Sequence, residues 1–179
     1  TDTPEVIKSR KTTLELLLTL APNAEQVRLL AEQMGLETPR FADRVENNSC
    51  ILCGLCVRAC RAVTGKMAIC FLNRGVDRVV GPPFDRTSKE CIGCNVCAEV
   101  CPTGYIQSQD EGDQRKIATL KTDLELACCD GCGKPFAPVK QLEHIQEKIG
   151  EKFVAECVCS VCRRKKTAAK LHEITEKLS

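Results

Sequence analysis

Apolar residues at Val6, Ile7, Leu14, Leu17, Leu18 and Leu20 recur at helical spacing among charged and hydroxyl-bearing neighbours, and Pro22 ends the pattern. Asn23 then stands where a helix N-cap belongs, with Gln26 three residues on, the spacing of a capping box. Val27, Leu30, Ala31 and Met34 line one face of the second helix, and Gly35 is its C-terminal stop. Two amphipathic helices in antiparallel contact are the expectation for residues 1–47. Further on the pattern changes. "KMAICFLNRGVDRVVGPPFD" (66–85) carries β-type residues broken by Asn73–Gly75 and Gly81-Pro82-Pro83, which predicts a short hairpin or a pair of strands with irregular loops. "SQDEGDQRK" (108–116) is polar throughout and reads as a linker. A helix is expected from Pro138 to Ile149, stopped by Gly150. A last amphipathic helix would carry Ala168, Leu171, Ile174 and Leu178, with the basic run Arg163-Arg164-Lys165-Lys166 ahead of it as a solvated face or, in the alternative, a docking surface for an acidic partner.

Composition limits what these elements can do alone. Aromatics are 3% of the 179 residues and tryptophan is absent, so the apolar core is thin, while fifteen cysteines are far above ordinary usage. They fall in C-x2-C groups, and the chain opens TDTPEVIKSRK with no apolar leader, a combination that points to metal and cluster sites in a reducing compartment rather than to disulfides. A cytoplasmic location is the corresponding expectation. The formal net charge of +2 gives no footprint for a nucleic acid. No apolar run approaches the roughly 20 residues that span a bilayer.

The chemistry lies in two related cysteine runs within residues 48–108. "CILCGLCVRAC" holds Cys50, Cys53, Cys56 and Cys60, and "CIGCNVCAEVC" holds Cys91, Cys94, Cys97 and Cys101. Both are C-x2-C-x2-C-x3-C, the ligand run of bacterial-type 4Fe-4S ferredoxins, whose fourth cysteine serves the other cluster. Cys50, Cys53, Cys56 and Cys101 are therefore expected to hold cluster I, and Cys60, Cys91, Cys94 and Cys97 cluster II. Gly54 and Gly93 sit inside the loops, where unusual backbone angles are needed. Ile51, Leu55, Ile92 and Val96 interleave with the ligands and would exclude water, and Arg58 and Arg61 are nearby cations. Proline follows the second run as Pro102, but Arg61 follows the first. Cys70, without a C-x2-C partner, reads as buried packing.

Cys129, Cys132, Cys159 and Cys162 make two more C-x2-C pairs across a helix, a donor set for tetrahedral zinc or for a cubane. Cys128 and Cys157 stand beside them with no assigned role. The two histidines, His144 and His172, fall on expected helices, and no G-x-G-x-x-G loop is present, so neither a catalytic set nor a nucleotide site is evident.

Residues 48–107 resemble the two-cluster ferredoxin domain of NADH dehydrogenase large iron–sulfur subunits and NAD-linked hydrogenases. There C-x-R-x-C-R/Q-x-V-x-G is the usual form, which makes Arg61 a family trait. "TTLELLL" (12–18) resembles the segment ahead of that domain, but residues 19–49 lack the His and Cys of the cluster site that follows in those proteins. "CDGCGKPFAPVKQLEHI…CSVCRRKK" (129–166) resembles the C-terminal tail of formate- and hydrogenase-linked iron–sulfur subunits. The layout as a whole is similar to the small electron-transfer subunit of tungsten-dependent benzoyl-coenzyme A reductase.

The resulting expectation is an α+β protein: a two-cluster ferredoxin core (48–108), an N-terminal helical extension (1–47) and a C-terminal Cys-rich, metal-binding helical extension (109–179). The resemblances imply an iron–sulfur subunit, not an enzyme on its own. It would relay electrons to or from the large catalytic subunit of an anaerobic oxidoreductase, of the tungsten-pterin kind if benzoyl-coenzyme A reductase is the parallel, with further electron-donor subunits. The alternative parallel is a hydrogenase, formate dehydrogenase or NADH-linked complex with structural zinc at the C-terminal site. The CxxCG form of the first pair favours zinc. The extra cysteines and the relay resemblance favour a third 4Fe-4S cluster, which is the expectation retained. The terminal helices, with no cluster to support, are expected to dock partners.

Overall fold

The computed structural model describes residues 2–36, 40–41, 48–150 and 157–177. Two compact units are formed. The first comprises residues 1–90, 95–107 and 118–121, and the second residues 91–94, 108–117 and 122–179.

In the first unit, α1 (Pro4–Leu20) and α2 (Glu25–Gln33) pack on each other around Leu14, Ala21, Ala24 and Val27, as the apolar pattern predicts. Gly35 ends α2 with φ +66°, and the Leu36 N–H reaches back to the Ala31 carbonyl. The capping box does not form. Ala24 is the N-cap of α2 and provides no side-chain bond, whereas the Asn23 N–H donates to the Asn48 carbonyl at 3.0 Å. Leu30, expected on the inner face, is half exposed, while Glu15 is buried. The Arg40 guanidinium donates to both Glu15 oxygens from Nε at 3.0 Å, which holds that carboxyl below its usual range. A charge taken from water needs such a fixed partner.

α3 (Leu55–Ala59) runs directly into a π-helical turn, Cys60–Thr64, closed by Gly65 at φ +71°. The hairpin between the cysteine runs is present: β1 (Cys70–Leu72) pairs antiparallel with β2 (Val79–Gly81), Phe71 opposite Val80. Ala68 and Ile69, just ahead of β1, are buried, but Cys70 itself is only half-buried. α4 (Val96–Glu99) packs against α3.

The second unit corrects the reading of 108–116 as linker. β3 (Gln109–Glu111) and β4 (Gln114–Ile117) form a hairpin about Gly112, whose φ of +61° the turn requires. They continue into a four-stranded antiparallel sheet, β3-β4-β5-β6, with β5 (Thr122–Cys128) and β6 (Pro135–Pro138). The proline-bounded β6 occupies an edge, where missing N–H groups leave no ladder position empty on both sides. Along β5, Thr122, Leu124 and Leu126 point inward while Asp123 and Glu125 point outward. α5 (Val139–Ile149) packs on β5 and β6 and ends at Gly150. α6 (Ser160–Lys177) begins earlier than expected, so Cys162 and the basic run lie within it rather than ahead of it. Arg163 to Lys166 are exposed, as are Ala168, Leu171 and Ile174; Leu178 lies outside the described residues.

Candidate metal centres

The two ferredoxin runs repeat in backbone geometry as well as in sequence. In each, the second and fourth residues after the first cysteine adopt left-handed angles: Leu52 (φ +54°) and Gly54 (+70°), then Gly93 (+71°) and Asn95 (+64°). Glycine fills a different one of the two positions in each loop. The left-handed conformation costs a non-glycine residue about 1–2 kcal/mol, so Leu52 is held there by the surrounding structure. Left-handed residues at alternate positions turn the chain tightly, which lets cysteines three apart face one centre.

Cys50, Cys53, Cys56 and Cys101 all belong to the first unit. Burial raises the Cys56 thiol to about 11, and the charges of Cys50, Cys101 and Cys53 add to the rise. Cys50 is raised by burial and then by Cys101 and Cys53. These four sulfurs therefore lie within electrostatic reach of one another although Cys101 is some forty residues later in the chain. Cys101 behaves differently. Burial pushes its thiol up, but N–H groups of Ile106, Thr103 and Tyr105 and the Thr103 hydroxyl outweigh that and hold it below the usual thiol range. A converging set of donors around one sulfur favours thiolate, the form that binds metal.

Of the other four, Cys60 and Cys97 are buried in the first unit, and Cys91 and Cys94 belong to the second, buried and half-buried. Thr64 was not singled out by the sequence, yet it is buried behind Cys60. Its hydroxyl donates to the Cys60 carbonyl at 2.6 Å, accepts from the Lys66 N–H at 3.1 Å and lies 3.9 Å from Cys60 Sγ.

The missing proline has a local explanation. The second run leaves its helix at Glu99, and Cys101 is followed freely by Pro102. In the first run the helix continues through Arg61 to Thr64. Proline inside a helix removes an N–H and collides with the preceding turn.

Three supports of these loops were not legible beforehand. Asn48 donates from Nδ2 to the Leu20 carbonyl (2.7 Å) and accepts from the Cys50 N–H at Oδ1 (3.0 Å), tying the end of α1 to the first ligand. Ile51 packs on the α1–α2 core. The N-terminal helices thus buttress the Cys50 loop. The third is Arg115, on β4 in the supposed linker. Its Nη1 donates to the Gly93 carbonyl at 2.8 Å, and Nε and Nη2 grip both Asp110 oxygens at 2.7 and 2.8 Å. Its side chain is only 12% exposed, and its hydrogen bonds to Asp110 are the first cause that holds its guanidinium above the usual range. Arg58 and Arg61, the cations picked out from sequence, are both exposed, and Leu55 is 39% exposed, a poorer shield than expected.

The C-terminal pairs converge tightly. The sulfurs of Cys129, Cys132, Cys159 and Cys162 all lie within 4.8 Å of one another, and those of Cys132 and Cys159 are 3.9 Å apart. Backbone N–H groups of Cys159 (3.2 Å) and Gly131 (3.3 Å) donate to Cys129 Sγ. With Cys159 first among the causes, these bonds bring the Cys129 thiol down to about 6. Hydrogen bonds to Cys159 and Cys132 push Cys162 up to about 12. Cys157 and Cys128 stand apart, the Cys157 thiol donating to the Cys128 carbonyl at 3.3 Å. His144 and His172 lie on α5 and α6 and join no such group among the described residues.

Known proteins fit this arrangement. Residues 88–106 match the 4Fe-4S binding domain family. The chain is similar to an NADH-quinone oxidoreductase subunit of Rhizobium meliloti, 39% identical over 61 residues, which cover 34% of this chain and 7% of that protein. It is also similar to Ferredoxin-3 of Nostoc sp., 30% identical over 74 residues, 36% of this chain and 74% of that protein. In a crystal structure of an NAD+-reducing [NiFe]-hydrogenase in the H2-reduced state, one chain superposes with a TM-score of 0.50 at 25% identity, covering 58% of this chain and 55% of that one. Paired cysteine runs on this scaffold define a 4Fe-4S iron–sulfur protein of the electron-transfer class. Within that class, the chain belongs to the ferredoxin family. No described helix is long and apolar enough to cross a membrane.

Proposed function

We propose that the chain is an electron relay for a separate catalytic subunit, with 4Fe-4S clusters on Cys50, Cys53, Cys56 and Cys101 and on Cys60, Cys91, Cys94 and Cys97. Residues 48–108 form the relay, 1–47 its buttress, and 109–179 a Cys-rich extension. The observation that carries the first ligand set is the mutual charge interaction of Cys56 with Cys50, Cys53 and Cys101. The second set follows from the sequence repeat and the matching left-handed loops. A bound cluster would supply one-electron chemistry at a potential tuned by charge, hydrogen bonds and solvent. The protein's part is to keep ligands as thiolates, as at Cys101, and to fix the loops, as Asn48 and Arg115 do. The relatives carry the names of NADH- and hydrogenase-linked proteins, which favours a complex of that kind over benzoyl-coenzyme A reductase and its tungsten-pterin subunit. A cytoplasmic, anaerobic setting suits oxygen-sensitive clusters.

The test is electron paramagnetic resonance with iron counts on anoxically purified protein. Cys60→Ala should damage the cluster built on Cys91, Cys94 and Cys97 and spare the other; Cys101→Ala should do the reverse. If Cys60→Ala instead erases the cluster of its own run, the crossed assignment is wrong. Robust turnover of an organic substrate by the isolated chain would refute the pure relay.

A further inference from the structure

We infer that Cys129, Cys132, Cys159 and Cys162 hold one four-coordinate zinc ion, a structural staple between the sheet and α6, and not a third iron–sulfur cluster. This inference builds on the relay reading and sets where the relay stops.

The argument is one of size. A metal–sulfur bond of about 2.3 Å at the tetrahedral angle places ligand sulfurs about 3.8 Å apart. A cubane puts each thiolate on a different iron at a corner of an eight-atom body, so its ligand sulfurs stand roughly 6 Å apart or more. The observed 3.9 Å between Cys132 and Cys159, and the 4.8 Å limit over the whole set, match the first figure and leave no room for the second. Among the described residues no other group of cysteine, histidine or acidic side chains converges in this way, the cluster I cysteines included.

The surroundings suit a small closed cage. A Cβ on Gly131 would come within 3.2 Å of Cys162 Cβ and Sγ, so glycine lets the β5–β6 turn lie this close to the start of α6 without displacing Cys162. Gly133 has φ +69°, and its N–H donates to the Cys129 carbonyl at 2.8 Å, closing the knuckle around the first pair. The Asp130 N–H donates to the Cys157 carbonyl at 2.8 Å, bringing the segment that leads to the second pair alongside. Four protein thiolates leave no open position for substrate, the mark of a structural site. Zinc has no redox chemistry of its own, so electrons would pass only through the ferredoxin segment. The site would fix α6, whose basic Arg163 to Lys166 face is exposed.

The full chain, purified without oxygen, should contain about eight irons and one zinc, with a zinc-edge X-ray absorption shell of sulfur near 2.3 Å and no metal–metal scatterer. Cys129→Ser with Cys159→Ser should lose the zinc and keep all the iron and both resonance signals. If that variant does not fold, cobalt exchanged into the wild-type chain should show tetrahedral thiolate ligand-field bands. About twelve irons with no zinc would overturn the inference while leaving the relay intact, and a ninth, mononuclear iron would overturn zinc as the ion. Iron well below eight with zinc at one would count against the relay reading alone.

Discussion

Replacing Gly93 by alanine separates backbone strain from packing in a ligand loop. Gly93 sits between Cys91 and Cys94 with φ +71°, and a Cβ there would lie 2.6 Å from Leu124 Cδ1 and 2.7 Å from Pro138 Cγ. Carbon atoms rest about 3.5–4.0 Å apart, so these neighbours must retreat by roughly 1 Å. Pro138 is rigid and fully buried, and Leu124 is 5% exposed on the inward face of β5. Left-handed strain of about 1–2 kcal/mol and overpacking of about 1–3 kcal/mol together make roughly 2–5 kcal/mol. Gly104 is the control, having φ +63° and nothing within 4 Å of its Cβ position. Gly104→Ala should therefore show the strain alone, about 1–2 kcal/mol. Anoxic thermal melts followed by cluster absorbance would give the two losses, and paramagnetic resonance would locate the damage. Gly93→Ala should perturb the cluster on Cys91, Cys94 and Cys97 first. Equal losses from the two substitutions, or damage confined to the Cys50 run, would refute the packing argument.

Two further substitutions test supports of the loops. Asn48→Ala removes the bonds to the Leu20 carbonyl and from the Cys50 N–H; at about 0.5–1.5 kcal/mol each, it should cost roughly 1–3 kcal/mol and make the Cys50-run cluster lose iron faster to a chelator, while the other cluster's rate holds. Arg115→Met removes a nearly buried cation beside the Cys94 loop and should lower the midpoint potential of that cluster, on the order of 50 mV, close to tenfold in a one-electron equilibrium. Arg115→Lys should retain most of the potential in a spectroelectrochemical titration, and an unchanged potential in the Met variant would remove the electrostatic role.

The sequence by itself was enough for much of what depends on local spacing. Helical periodicity located α1 and α2, Gly35 and Gly150 marked helix ends, and residues 66–85 announced their hairpin, because each rests on interactions a few residues long. The eight cysteines of the two runs stood out for the same reason, since a run of cysteines three apart is itself a local geometry; their role as cluster ligands is the proposal made above. Where spacing misled, long-range pairing had decided. The polar stretch at 108–116 became strands because β5 was there to pair with it, and the in–out alternation of residues 122–128 was the one signal that could have warned of a sheet. Only the tertiary structure brought Asn48 to Leu20 and Arg115 to Gly93, since such bonds close between residues that carry no motif. The C-terminal centre divides most sharply. Two C-x2-C pairs disclose that four thiolates are available, but either metal form can use that spacing. The separation of their sulfurs, which depends on how the β5–β6 turn meets α6, is what the inference of one ion rather than a cubane rests on.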